Sequence, residues 1–156
     1  MTPITARLTA LPVSEPIGLT YYASPPRVTE AEVMDQYRPF VAHPHVEGAL
    51  DATDEIVLVL NEDRQIVFAN IRAIDFLGAT ARRQTMGQGF CEAVGCEHAR
   101  NMPAGCETSS ACAVCGFAQT VVGSLKGKTA TGECLITRGE HHEPLELRVH
   151  VAPFNF

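Results

Sequence analysis

Residues 55–70, with the sequence EIVLVLNEDRQIVFAN, decide the fold of this chain. Residues 55–60 are dominated by β-branched residues and leucine, in a run too short for a helix, which predicts a strand buried on both faces. The polar residues 61–64 have the composition of a turn. Residues 65–69 then predict a second strand, so the whole stretch predicts a β-hairpin.

Two helices and a second pair of strands are expected after this hairpin. Asn70 is placed to cap a short helix that ends at Gly78, and residues 112–126 carry apolar side chains at helical spacing. Strands are expected at residues 129–137 and at residues 145–151. The second of these alternates strictly between apolar and polar residues, which predicts a half-buried strand.

The segment before the hairpin divides into two parts. Residues 1–27 are rich in proline and show no sustained period, which predicts an irregular arm, although residues 17–22 (IGLTYY) have the composition of a short strand. Residues 28–49 predict a helical extension that begins at a Thr-x-x-Glu capping box. Pro39 is expected to limit the first helix of this extension.

Composition and charge exclude several classes of protein. Of the 156 residues, 46% are hydrophobic and 19% are charged, as in ordinary globular proteins. The net charge is −6, and the 12 Lys and Arg residues are scattered, so we expect no nucleic-acid binding. No apolar run approaches the roughly 20 residues that span a bilayer, and the N-terminus lacks the pattern of a signal peptide. We therefore expect a cytoplasmic protein that does not engage a membrane.

The order of the predicted elements resembles that of the PAS family. The resemblance rests on three short sequence motifs: IVLVLN at residues 56–61, QIVFAN at residues 65–70 and FLG at residues 76–78. The resemblance covers residues 50–156 and implies an α+β fold, in which a PAS-like antiparallel sheet carries short helices on one face. It also implies a homodimer, with signal output through a domain such as a histidine kinase in cis or in trans.

One strand of a PAS sheet has no counterpart in this sequence. The family's sheet has five strands, and the last strand in the chain lies in the middle of the sheet. No segment after residues 145–151 provides that final central strand. We expect the chain to be a fragment of a longer protein, or the gap to be filled by residues 17–22 or by a partner chain.

Five of the six cysteines lie between Cys91 and Cys115, in a part of the chain with little periodicity. In a protein without an export signal, such a cluster favours metal binding over disulfides. Three motifs within it resemble a cysteine-rich branch of PAS domains found on bacterial sensor kinases and related regulators. They are GCEHA at residues 95–99, PAGC at residues 103–106 and CAVCG at residues 112–116.

The spacing of the cysteines predicts a four-cysteine metal site. Cys112 and Cys115 are separated by two residues at a predicted helix start, where free amides stabilise thiolates. Loop-length segments join them to Cys106 and Cys96, so the chain can fold back to complete four ligands. His98 is a candidate to replace one thiolate, with a surface or supporting position as its alternative.

Two metals and one metal-free chemistry remain open for this site. An iron–sulfur cluster is slightly preferred over zinc because the spacing is irregular, although a Cys-x-x-Cys-Gly knuckle is typical of zinc. Reversible disulfide formation is the third alternative. The remaining cysteines, Cys91 and Cys134, are expected to be buried as small hydrophobic residues. Glu107 stands where the family branch usually has a glycine, which is expected to stiffen that turn.

These observations predict a signal-input domain that senses redox state or oxygen through the four-cysteine site. One alternative is a zinc-stabilised interaction or dimerisation module with a structural metal, and another is a PAS domain that binds a small ligand. An enzyme is not expected, because the sequence has no glycine-rich phosphate loop, nucleophile elbow or HExxH motif. No nucleotide cofactor is predicted either.

Overall fold

The computed structural model describes residues 27–101, 105 and 107–154. The predicted arm before Arg27, its candidate strand and the predicted ligand Cys106 lie outside these residues. The described residues form a mixed α+β structure with two small antiparallel sheets. Its helices and strands are α1 (Glu30–Ala42), α2 (Pro44–Asp51), β1 (Leu58–Leu60), β2 (Ile66–Ala69), α3 (Ile71–Phe76), α4 (Phe90–Ala93), α5 (Gly116–Ser124), β3 (Ala130–Arg138) and β4 (Glu143–Val151). Short 3₁₀ helices lie at Arg82–Gln84, Glu97–Arg100 and Ser110–Val114.

The first hairpin forms where the sequence predicts it. β1 and β2 are antiparallel, and their register pairs Leu58 with Ala69 and Val59 with Phe68. Every residue of both strands is buried, which confirms that the first strand is covered on both faces and shows the same for the second. β1 is shorter than predicted, since it begins at Leu58 rather than at residue 55.

The second hairpin, formed by β3 and β4, is longer and pairs along nine residues of each strand. In β4 the side chains of Leu147, Val149 and Val151 are buried and the residues between them are exposed, which confirms the predicted alternation. The two hairpins form separate two-stranded sheets in the described part of the chain. A single PAS-like sheet with a further strand between them therefore stays a prediction.

Both hairpins contribute to one apolar core. Leu58 of β1 and Val149 of β4 belong to it, together with Phe117 of α5 and Phe90 of α4. The rings of Phe90 and Phe117 stack with their centroids 4.5 Å apart. The core therefore joins α4 and α5, the two helices that carry or adjoin cysteines, to the strands.

Helix α1 covers the other side of the first hairpin. Its capping box, formed by Thr29 and Glu32, is present as predicted. The helix continues through Pro39 to Ala42, so the prediction that this proline limits it is wrong. The buried ring of Phe40 stacks on Phe68 of β2 at a centroid distance of 4.6 Å, and this packing offsets the hydrogen bond that proline cannot make.

The side chain of Asn70 ties α3 to the first hairpin and to the segment before it. Its Oδ1 atom accepts hydrogen bonds from the backbone N–H groups of Ala73, at 2.9 Å, and Val57, at 3.0 Å. Its Nδ2 atom donates to the carbonyl oxygens of Leu50 and Glu55. This confirms the prediction that Asn70 caps the helix, and adds a bridging role.

The helix predicted at residues 112–126 is wrong in its first turn. Residues Ser110–Val114 form a 3₁₀ helix, and Cys115 has an extended backbone with φ −76° and ψ 120°. The α-helix begins only at Gly116 and has Cys115 as its N-cap residue. Among the helices of the described segments, none is long and apolar enough to cross a membrane.

Candidate metal centre

Five cysteines lie in the described residues, and all five are free thiols. Each belongs to a different short element: α4, the start of the Glu97–Arg100 turn, the Ser110–Val114 turn, the start of α5, and β3. In that order they are Cys91, Cys96, Cys112, Cys115 and Cys134. Three of the four predicted ligands are therefore placed, and the fourth, Cys106, lies outside the described residues.

Cys96 is half-buried and its sulfur is surrounded by hydrogen-bond donors. The thiol of Cys91 and the backbone N–H groups of His98 and Ala99 all donate to it. The bond from Cys91 is the largest influence and, with those amides, lowers the pKa of Cys96 to about 6, although burial acts in the opposite direction. These hydrogen bonds therefore favour the negatively charged thiolate form of Cys96.

Cys115 occupies the N-cap position of α5. Its sulfur accepts hydrogen bonds from the backbone N–H groups of Phe117 and Ala118, which are free amides of the first helical turn. Burial outweighs these bonds and raises the pKa of Cys115, and the neighbouring thiols of Cys112 and Cys96 raise it further. The sequence predicted that free amides at a helix start stabilise the thiolates of Cys112 and Cys115. In the structure these amides bind Cys115, because the α-helix begins one turn after Cys112.

The segments that carry Cys96 and Cys115 meet at β3. Cys96 forms an antiparallel β-bridge with Arg138 at the end of that strand, and Gly139 donates a backbone hydrogen bond of 3.2 Å to Gly95. Gly116, next to Cys115, lies so close to β3 that a Cβ atom there would overlap the carbonyl oxygen of Glu133. The segments that carry Cys96 and Cys115 therefore both pack against β3.

The two described neighbours of Cys106, Gly105 and Glu107, both contact other parts of the protein. Glu107 is only 2% exposed and forms an ion pair with Arg64, which lies in the turn of the first hairpin. Desolvation outweighs the attraction of Arg64 and raises the pKa of Glu107 to about 7. On the other side, Gly105 lies against the ion pair between Arg27 and Glu92, where a side chain would overlap the Glu92 carboxylate.

Glu107 has a left-handed backbone conformation with φ 66°. Glycine adopts this conformation without steric cost, which explains physically why a glycine would suit the position. In this chain the buried ion pair with Arg64 stabilises a glutamate there. The stiffening expected at Glu107 is consistent with this fixed side chain.

His98 is partly exposed and sits beside the first predicted ligand. Its Nδ1 atom lies 3.1 Å from the side-chain nitrogen of Asn101, and its Nε2 atom lies 3.4 Å from Glu97. Glu97 also contacts Nδ1 of His142, at 2.9 Å, and so ties the tip of the second hairpin to the Cys96 segment. Whether His98 replaces a thiolate stays a prediction.

The described side chains fit a thiolate metal site in their chemistry but not yet in their spacing. Sulfur ligands bound by backbone amides are what zinc and iron–sulfur centres use. Among the described residues, however, no group of three or more His, Cys, Asp or Glu side chains is arranged to hold a metal ion.

The prediction that Cys91 and Cys134 are buried is confirmed, with exposed fractions of 4% and 7%. What the sequence did not show is that both lie beside the predicted ligands: Cys91 contacts Cys96, and Cys134 lies within electrostatic range of Cys115 and Cys96. Burial raises the pKa of Cys134 to about 12, and those two thiols act in the same direction. The sequence signal for the burial of Cys134 is its place two residues before Ile136, since alternate residues of a strand point to the same face.

Comparison of the chain with protein-family models, with curated proteins and with solved structures found no match.

Proposed function

We propose that this chain is a PAS-type signal-input domain that senses redox state or oxygen through a thiolate-bound metal centre. The observation that carries the proposal is the approach of Cys96 and Cys115, with the sulfur of each bound by two backbone amides. Amide hydrogen bonds to sulfur stabilise thiolates and tune the reduction potential of iron–sulfur clusters. The order of the helices and hairpins supports the PAS part of the proposal.

An iron–sulfur cluster is preferred over a single zinc ion because the predicted ligands are irregularly spaced along the chain. Zinc binds each thiolate at about 2.3 Å and so needs four sulfurs gathered around one point. A cluster of several iron and sulfide ions is wider, so its ligands need to approach one another less.

The cysteine loop is connected to the start of α1, which gives a route for a signal. Glu107 is paired with Arg64, and the adjacent residue Gln65 holds both backbone polar groups of Val28. Those bonds measure 2.9 and 3.1 Å, and Gln65 is buried. A change in the loop that moves Glu107 would therefore reach the residues that lead into α1 through two side chains.

In this proposal the output lies outside the domain. A cytoplasmic homodimer that passes the change to a histidine kinase or a similar domain, in cis or in trans, is the arrangement that the resemblance implies. The residues that lead into α1 offer one such connection, because they precede the main domain, Arg27 lies beside Gly105 of the cysteine loop, and Val28 binds Gln65, next to the Arg64 that pairs with Glu107. The chain itself is proposed to have no enzymatic activity.

Purification without oxygen, followed by measurement of metal, sulfide and visible absorbance before and after exposure to air, tests the proposal. We expect iron and acid-labile sulfide, with a visible absorbance that disappears in air. Cys96→Ser and Cys115→Ser should abolish it. Val114→Ser is the matched control, because that side chain lies in the same loop, is 83% exposed and carries no thiol.

Two other results would redirect the proposal. Stoichiometric zinc that is unaffected by air would make the site structural and favour the interaction module. Protein that holds neither metal, even when reconstituted without oxygen, would exclude the metal centre and leave thiol chemistry at Cys96.

A further inference from the structure

Helix α4 ends in a turn that brings two cysteines together. The backbone N–H of Cys96 donates to the carbonyl oxygen of Cys91, at 2.8 Å, and the N–H of Gly95 donates to that of Glu92, at 3.1 Å. Gly95 itself has a left-handed backbone with φ 76°. These features define a Schellman motif, in which side chains at the positions of Cys91 and Cys96 commonly contact each other.

The backbone hydrogen bond between these cysteines limits how far apart they can lie. With its N···O distance of 2.8 Å and standard bond lengths, the Cα atoms of Cys91 and Cys96 are at most about 6.7 Å apart. Disulfides join Cα atoms that are roughly 4.4–6.8 Å apart. The thiol of Cys91 also donates a hydrogen bond to the sulfur of Cys96, so the two side chains point towards each other. A disulfide between them therefore fits the backbone of this turn.

The turn is held against β3, and its two thiols differ in access. Cys96 forms a β-bridge with Arg138, and Gly139 donates a backbone hydrogen bond of 3.2 Å to Gly95. Cys91 faces the core and is 4% exposed, whereas Cys96 is half-buried. An oxidant in solution therefore reaches the sulfur of Cys96 first, and Cys91 is placed to react second, from inside the protein.

The simpler explanation is that both cysteines act as small apolar residues, because a hydrophobic contact often accompanies a Schellman motif. That explanation accounts for the burial of Cys91 in the core. It does not account for Cys96, whose sulfur is partly accessible and accepts hydrogen bonds from Cys91 and from the backbone N–H groups of His98 and Ala99. These polar contacts suit a sulfur that reacts as a thiolate.

We propose that Cys91 and Cys96 form a reversible disulfide in the metal-free protein, by exchange with a small-molecule disulfide such as oxidised glutathione. The thiolate of Cys96 attacks one sulfur of that molecule, whose S–S bond breaks and releases one thiol. Cys91 then loses its proton and attacks the sulfur of Cys96, which releases the second thiol. The protein gives up two electrons and two protons, and the small disulfide is reduced to two thiols.

This inference goes beyond the proposed metal centre and does not depend on it. The disulfide occupies the sulfur of Cys96, so the oxidised turn cannot offer that sulfur to a metal. The end of α4 is therefore a redox-sensitive site in its own right.

A single tryptic peptide tests the proposal. Cleavage after Arg83 and Arg100 gives residues 84–100, which contain Cys91 and Cys96 and no other cysteine. The full chain, reduced and freed of metal with a chelator, is equilibrated with glutathione at increasing ratios of the oxidised to the reduced form, then acid-quenched and alkylated. We expect the peptide to lose two hydrogen atoms and to resist alkylation, and dithiothreitol to restore both thiols.

Two variants separate the exchange reaction from a structural role. Cys91→Ala should accumulate glutathione on Cys96, on the order of tenfold more than the wild type, because no second thiol releases it. Cys134→Val is the matched control, since Cys134 is also buried but lies on β3, outside the turn. It should form the same disulfide as the wild type. Far-UV circular dichroism checks that both variants are folded.

Three results would overturn the proposal. The first is a wild-type peptide that stays alkylated at both cysteines at every glutathione ratio, and the second is glutathione on Cys96 to the same extent as in Cys91→Ala. The third is a disulfide that joins Cys96 to another peptide. Because the protein is metal-free, the outcome is independent of the iron analysis. A chain that forms this disulfide but never binds iron would sink the metal centre and leave this inference standing.

Discussion

Glu107 and Arg64 form a buried ion pair that joins the cysteine loop to the turn of the first hairpin. Both residues have a left-handed backbone, with φ 66° and 63°. The pair therefore fixes two conformations that are unfavourable for non-glycine residues and links parts of the chain more than forty positions apart. Removing one member leaves the other charged and buried, which is the costly case for an ion pair.

Glu107→Ala is accordingly expected to lower the free energy of unfolding by about 3 kcal/mol. The double variant Arg64→Met/Glu107→Leu should lose less than the single one, because it leaves no buried charge without its partner. Urea unfolding followed by circular dichroism measures both. A single variant within about 0.5 kcal/mol of the wild type would show that the pair is not buried in solution.

Gly116→Ala is expected to disturb the contact between α5 and β3. The added methyl group would overlap the carbonyl oxygen of Glu133, and relieving that overlap should cost about 2 kcal/mol. Gly123→Ala in the same helix is the control, since nothing lies within 4 Å of its added Cβ, and it should stabilise by about 0.5–1 kcal/mol. Thermal unfolding compares the two. Equal effects would mean that the close approach at Gly116 is absent.

Asn70→Ala is expected to destabilise the domain by about 3 kcal/mol, because it removes a helix cap, leaves the buried backbone N–H of Val57 without its partner and breaks the bond to the carbonyl oxygen of Glu55. Asn70→Ser keeps a capping oxygen but is too short to bridge, so its loss should be smaller. Chemical denaturation of both variants provides the comparison. Equal losses in the two variants would show that the hydrogen bonds of Asn70 to the segment before β1 and to Val57, rather than the helix cap, account for the whole loss of stability.

Alkylation of the metal-free protein should show Cys96 as the most reactive of the five described thiols at neutral pH. Its pKa is lowered to about 6, so the thiolate fraction rises as the pH increases through that value, whereas an ordinary thiol titrates near about 8.5. Iodoacetamide labelling at several pH values, with the sites located by mass spectrometry, measures the profile.

Cys91→Ala should move this labelling profile to higher pH, since it removes the largest hydrogen bond to the Cys96 sulfur. Cys134 should remain unlabelled throughout the same range, because burial raises its pKa to about 12. A Cys96 profile centred near that of an ordinary thiol would contradict the network around it.

Local features of the chain could be predicted from sequence because each depends on residues close together. The two hairpins follow from the alternation and turn composition of residues 55–70 and from the strict period of β4. The capping box at Thr29 and the cap at Asn70 each need a side chain and an amide three positions away. Pro39 was misjudged because the stacking of Phe40 on a distant strand outweighs a local preference.

The sequence by itself therefore determined the elements, the cysteine-rich loop and the burial of Cys91 and Cys134. Only the tertiary structure decided which sulfurs approach one another, because that depends on how α4, α5 and β3 pack around one core. The same holds for the pairing of Glu107 with Arg64. Hydrogen bonding and propensity act over a few residues, whereas a core brings together side chains from anywhere in the chain, and spacing along the sequence carries little information about such contacts.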